Sequence, residues 1–186
     1  MRELHPTLWR TCRVLAGNTR LRLLRQLHDA PGHDVSSLAE IAGIGVSDAS
    51  QELRRLQSRG LLQADRKGAR LIYRIGADPQ VPSAAPLLKA LLKAFASRPP
   101  DQDPAMTPIA TGLAHPRRIA IAKTLMDSPA GILSLRIATR MPPAPMSRHL
   151  GILQAGGWVQ ADKRTLSFRP SAHPLALALA RLLHAE

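Results

Sequence analysis

The chain has 186 residues, with 26 Lys and Arg against 13 Asp and Glu for a formal net charge of +13. A single Cys excludes an intramolecular disulfide or a thiolate zinc cage. No apolar run reaches the roughly 18 residues of a spanning helix, and Met1 to Pro6 lacks the apolar stretch of a signal peptide. The charge points to a polyanionic partner, nucleic acid ahead of a membrane surface, and a cytoplasmic protein is the default expectation.

With aromatics at 3%, the core must be built from Leu, Ile, Val and Ala, which suits helices. Leu4 to Ala16 is expected as a helix, and Leu21, Leu23, Leu24 and Leu27 mark a second. Asp29-Ala30-Pro31-Gly32 breaks it. Ser37 with Glu40 has the capping-box pattern and opens a short helix through Leu38, Ile41 and Ala42. Gly43-Ile44-Gly45 makes a tight turn before a helix from about Val46 to Arg59, stopped by Gly60. Leu61 to Asp65 and Arg70 to Ile75 alternate apolar with polar residues around Lys67-Gly68, the pattern of a β-hairpin. Pro86 to Phe95 reads as a linking helix, and Arg98 to Pro108, rich in Pro and Asp, as a flexible connector.

The chain then repeats itself. Leu53 to Asp65 recurs as Leu150 to Asp162 at an offset of 97, and Leu15 to Leu21 answers to Leu113 to Ile119 at 98. One residue is therefore missing from the second copy, near Pro129 to Leu133. In that copy Ser134 is expected to cap, Pro143 to Ala155 to form the fourth helix, Lys163-Arg164 to turn a shorter hairpin, and Pro174 to Ala185 to form a terminal helix. The expected fold is mainly α with small β-hairpin wings, a tandem winged helix-turn-helix. Its parts are a first winged-helix domain over 1–80, a linking helix and flexible connector over 81–106, and a second winged-helix domain over 107–186.

A short helix, a glycine turn, a longer helix and a basic hairpin can place the longer helix in the major groove of DNA. With Ala49, Leu53 and Leu56 inward, the other face offers Ser47, Asp48, Ser50, Gln51, Arg54 and Arg55 to base edges and phosphates. Arg66, Lys67 and Arg70 form a cationic wing tip. The corresponding groups of the second copy are Ser147, Arg148 and His149, with Lys163 and Arg164 on its wing. Residues 1–76 hold 13 basic and 7 acidic residues and residues 107–186 hold 10 and 3, so the charge follows the two copies and leaves the segment between them neutral.

Leu15 to Leu24, Ser37-Leu38-Ala39-Glu40, Ser50 to Leu53 and Gly60-Leu61-Leu62 followed by Lys67 to Arg74 resemble the ArsR-type winged-helix repressors. So do Leu113 to Arg118 and Met146 to Leu150 of the second copy. The resemblance implies a bacterial regulator of transcription, a repressor, that dimerises through terminal helices and releases DNA when an effector binds. Here that pairing would be an intramolecular pseudo-dimer or a homodimer through helices 4–16, 86–96 and 174–185, with an effector whose identity no residue specifies. The family's Ser-Arg-His reading triplet is kept as Ser147, Arg148 and His149, whereas the first copy has Ser50, Gln51 and Glu52. Conversely, Pro142, Pro143 and Pro145 stand where the second reading helix begins, a place where proline is tolerated.

No metal or cofactor is expected. The family's thiol pattern is missing from Ser36 to Glu40, Leu87 to Phe95 has no His or Asp, and His5 lies too far from Cys12 along one helix. His28, His33, His115 and His173 fall at turns or helix starts and read as solvated or capping groups. Gly43-Ile44-Gly45 is not a dinucleotide loop, and His28-Asp29 and His33-Asp34 lack a nucleophile, so no enzymatic activity is expected. The alternative to sequence-specific binding of double-stranded DNA is a winged-helix protein-interaction or scaffold module.

Overall fold

The computed structural model describes residues 7–185. The first residues of the helix expected from Leu4, and His5 with them, lie outside that range. The chain divides into two compact units, the first spanning residues 17–104 and the second, among the described residues, 7–16 with 105–185. Helix α1 (Leu8–Leu15) therefore belongs to the second unit, not to the copy in which the repeat placed it.

The first unit opens with α2 (Asn18–Asp29), which buries Leu21, Leu23, Leu24 and Leu27 on one stripe. A two-residue strand, β1 (His33–Asp34), leads into α3 (Val35–Ala42), and α4 (Val46–Gln57) follows. The cap of α3 is Asp34 rather than Ser37, because the helix begins at Val35 and the Asp34 carboxylate accepts from the Ser37 amide at 2.9 Å. That hydrogen bond holds the Asp34 pKa below the usual carboxylate range. Gly43 ends α3 at φ 63, a left-handed position where glycine carries no Cβ penalty. Strands β2 (Leu62–Lys67) and β3 (Arg70–Ile75) pair from Leu62↔Ile75 to Lys67↔Arg70. Strand β1 adds to the far side of β3 through His33↔Tyr73, giving the order β1-β3-β2. This third strand is absent from the sequence expectation.

Helix α5 (Ala84–Ser97) closes the first unit by packing on α2. The stretch expected as a flexible connector is ordered instead, as a 3-10 turn over Pro100–Ala105. Its anchor is a buried ion pair. The Arg25 guanidinium donates to both oxygens of Asp103 at 2.7 Å, and also to the carbonyls of Phe95 and Arg98. Asp103 pushes the Arg25 pKa up, and the guanidinium lies over the Phe95 ring at 4.5 Å. Two buried charges are tolerable when every donor finds a partner in this way.

In the second unit, α1 packs against α6 (Met106–Leu113), with Leu8, Cys12 and Leu15 buried. Helix α7 (Pro116–Asp127) starts on His115, whose ring accepts from the Arg117 amide, as expected of a capping histidine. Helix α8 (Ile132–Thr139) starts after Gly131, so Ser134 lies inside the helix and is not its cap. Helix α9 (Pro143–Ala155), strands β4 (Val159–Asp162) and β5 (Thr165–Phe168), and α10 (Pro174–Ala185) complete the unit. Ala130 bridges Leu166 as His33 faces Tyr73 in the first unit. Where α3 ends on Gly43, α8 ends on Arg140 at φ 50. The β4–β5 turn likewise holds Lys163 at φ 50. Buried Trp158 donates to the Ile109 carbonyl at 2.8 Å and stacks on Phe168.

Candidate nucleic-acid interface

The first unit carries the more complete basic face. On α4, Ala49, Leu53 and Leu56 are fully buried, which turns Ser47, Asp48, Gln51, Arg54 and Arg55 to solvent. Ser50 is half-buried at the flank. Glu52 does not face outward: its carboxylate holds Arg20 of α2 on one oxygen and Arg55 on the other. It therefore positions α4 against α2 and partly neutralises Arg55, instead of reading a base. At the hairpin tip Arg66, Lys67 and Arg70 are exposed, as expected. Arg70 leans toward Asp34 at 3.8 Å, with its side chain 78% exposed, so solvent screening leaves its charge available. Lower on the hairpin Arg74 donates to Asp65 at 2.9 Å. Of the exposed cations on α4 and the β2–β3 hairpin, Arg54, Arg66 and Lys67 have no ion-pair partner among the described residues.

In the second unit the expected triplet splits. Ser147 and Arg148 are exposed, but His149 is buried, with its ring 4.8 Å from that of His115. Met146, His149, Leu150 and Leu153 are the buried residues of α9, and their spacing of three, four and seven is that of a core-facing helical stripe. That spacing was the signal available in the sequence, and His149 as a DNA contact is corrected by it. Burial first, then the nearby charges of His115, Arg118, Arg117 and Arg148, lowers the His149 pKa and keeps the ring neutral. Its Nδ1 has no hydrogen-bond partner among the described residues. His115 is lowered too, again mainly by burial. Buried Arg118 donates to the carbonyls of Thr111 and Gly112.

Lys163 and Arg164 are exposed at the β4–β5 turn. Helix α8 adds an exposed apolar patch, with Ile132, Leu133 and Ile137 roughly half to two-thirds exposed. Pro142, Pro143 and Ala144 are exposed at the start of α9. Among the described residues no three His, Cys, Asp or Glu side chains cluster so as to hold a metal ion, and no helix is long and apolar enough to cross a membrane.

The family profile for bacterial regulatory proteins of the arsR family matches residues 17–64, from the N-cap of α2 into β2. Residues 17–64 form an ArsR-family helix-turn-helix domain. The chain is similar to the HTH-type transcriptional regulator YgaV of Escherichia coli, 36% identical over 56 residues, covering 30% of this chain and 57% of that protein. It is also similar to the HTH-type transcriptional regulator NmtR of Mycobacterium tuberculosis, 40% identical over 63 residues, covering 34% and 52%. The chain spans about half the length of the curated relatives it matches.

Among solved structures, human N-acetylserotonin methyltransferase in complex with SAM matches at a TM-score of 0.33 and 15% identity, over 77% of this chain and 54% of that one. That protein is an enzyme, so the expectation that this chain has no enzymatic activity is withdrawn. A likeness of that size assigns no activity to the chain.

Proposed function

We propose that the chain binds double-stranded DNA sequence-specifically and regulates transcription as a repressor, with α4 in the major groove and the β2–β3 tip on flanking phosphates. One observation carries the reading. Inside the ArsR-family segment, α4 buries Ala49, Leu53 and Leu56 and leaves Ser47, Gln51, Arg54 and Arg55 outward, beside a tip bearing Arg66, Lys67 and Arg70. The order of α7, α8, α9 and the β4–β5 hairpin parallels that of α2, α3, α4 and the β2–β3 hairpin, and supports a second winged helix in tandem. Helix α1 packs on α6, its counterpart in the repeat, which supports pairing of the two copies within one chain over a homodimer.

Fluorescence anisotropy with duplex DNA at three salt concentrations tests the reading. If about six phosphates are contacted, affinity falls on the order of a thousandfold between about 50 and 200 mM salt, because condensed counterions are released on binding. A flat salt response, or no binding at low salt, refutes DNA binding. A second reading applies to the second unit alone. Exposed Ile132, Leu133 and Ile137 favour a protein-facing surface there, and in that case Arg148→Ala leaves both affinity and sequence preference unchanged.

A further inference from the structure

In the second unit, a cleft of about 480 Å³ opens between α9 and the β4–β5 hairpin. Its volume lies within the roughly 300–1,000 Å³ usual for small-molecule sites. Leu150 and Leu166 are buried and form the floor, and Ile132, half exposed, stands at the mouth. Ser147 and Gln154 offer hydrogen-bonding groups from α9. Lys163 and Arg164 sit at the rim, adjacent in sequence and with no ion pair among the described residues, and no acidic residue lines the cleft.

The corresponding place in the first unit is filled differently. Leu166 lies opposite Ala130 in the same register position that Tyr73 holds opposite His33, and Tyr73 is fully buried. A leucine in that position leaves room that a tyrosine ring would take. The rim also keeps its charge at some cost, because Lys163 adopts φ 50, a left-handed conformation that side chains other than glycine, asparagine and aspartate seldom adopt.

We propose that this cleft binds a small organic anion with an apolar body, seating the apolar part on Leu150, Leu166 and Ile132 and the charge between Lys163 and Arg164. A duplex phosphate would meet the two cations but leave the apolar floor uncovered, whereas an amphipathic anion uses both. Neither cation has an ion-pair partner among the described residues, although Asp162 precedes them at the turn, and a carboxylate or sulfonate seated between them would be attracted by both. The site goes beyond the DNA reading and does not depend on it.

The test uses the full chain without nucleic acid. Anilinonaphthalene sulfonate, a fluorescent aromatic sulfonate, is titrated in parallel with uncharged phenylnaphthylamine. The sulfonate is expected to saturate one site. Lys163→Ala with Arg164→Ala should weaken it roughly tenfold, the loss expected when a charge-assisted contact is removed, and leave the uncharged probe unaffected. Leu166→Tyr should abolish binding of both probes by filling the cleft. Should Leu166→Tyr fail to fold by circular dichroism, Ile132→Glu decides in its place, since residue 132 is exposed and a carboxylate at the mouth should repel the sulfonate. Sulfonate affinity unchanged in the Lys163/Arg164 variant, or unchanged in both Leu166→Tyr and Ile132→Glu, overturns the proposal.

Discussion

Residue 52 of α4 and residue 149 of α9 sit at the same step of their helices, three residues after a buried Ala49 and a buried Met146, yet they solve the same problem with opposite chemistry. In the first unit the step holds a carboxylate, which ties α4 to Arg20 and Arg55. In the second it holds an imidazole, kept neutral by burial next to His115 and under the field of Arg118. The first unit thus closes its inner positions with ion pairs, Glu52 with Arg20 and Asp103 with Arg25, and leaves cations to face outward. The second unit has no acid in that place, closes by packing, and shows solvent an apolar α8. Two helix pairs with the same order of elements therefore need not share a task. What separates them is which charges remain unpaired on the outward face.

The largest expected effect attacks the ion-pair side of this contrast. Arg25→Ala would leave Asp103 buried without its partner and should cost the first unit about 3–5 kcal/mol. Both tryptophans, Trp9 and Trp158, lie in the second unit, so urea melts followed by tryptophan fluorescence report that unit, while far-ultraviolet circular dichroism reports both. The dichroism should show an early transition while the fluorescence midpoint stays put. If the two midpoints fall together, the units do not close independently.

Gly112→Ala attacks the packing side. A Cβ on residue 112 would run into the buried Trp158 ring. Forcing that ring aside should lower the fluorescence transition by about 1–3 kcal/mol, without the early dichroism change of Arg25→Ala.

DNA binding sharpens the comparison further. Lys67→Ala with Arg70→Ala should weaken every duplex alike and reduce the salt slope by about two if each contacts one phosphate. Arg148→Ala should cost about 1–3 kcal/mol at one half-site only, if Arg148 meets a guanine. Binding-site selection with both variants separates these outcomes. If only the first variant has an effect, α9 does not read DNA.

The smallest effect is in pH. His149 and His115 have folded-state pKa values below the ordinary 6.5, so once the pH falls below about 6.5 the unfolded chain takes up protons that the folded second unit does not. Their neutral burial therefore favours folding above that pH, and stability is lost as the pH drops further. The fluorescence midpoint should move to lower urea between pH 8 and about 5.5. His149→Gln should reduce the movement, and an equal shift in that variant would assign it to other groups.

Much of the architecture could be read from local pattern. Helices over Pro143–Ala155 and Pro174–Ala185 and a hairpin around Lys67-Gly68 follow directly from periodicity and turn chemistry. What escaped was long-range or too short to be periodic. Strand β1 has two residues and exists because its backbone finds β3. The 3-10 turn looks like a connector because its order comes from one charge, Asp103, meeting Arg25 on a helix 78 residues earlier. At the N-terminus of α3, Asp34 and Ser37 both have side chains able to cap, and only the position of the first helical residue decides between them. For the interface, residue types located Arg54, Arg66, Lys67 and Arg148 on exposed surface, whereas family habit in place of helical phase misplaced His149.

The position of α1 has a consequence for how the molecule is made. The second unit needs residues 8–15 from the beginning of the chain and residues 106–113 from its second half, so the path enters that unit, leaves to build the first, and returns. During synthesis the first unit can close once residue 104 has emerged. The apolar stripe of Leu8, Cys12 and Leu15 must wait for a partner roughly a hundred residues away, a contact of high order that is slow to form and prone to capture by other chains. Cutting the chain between residues 16 and 17 would leave the first unit whole and strip the second of a helix, so residues 17–104 should express as a stable piece while residues 105–186 alone should aggregate.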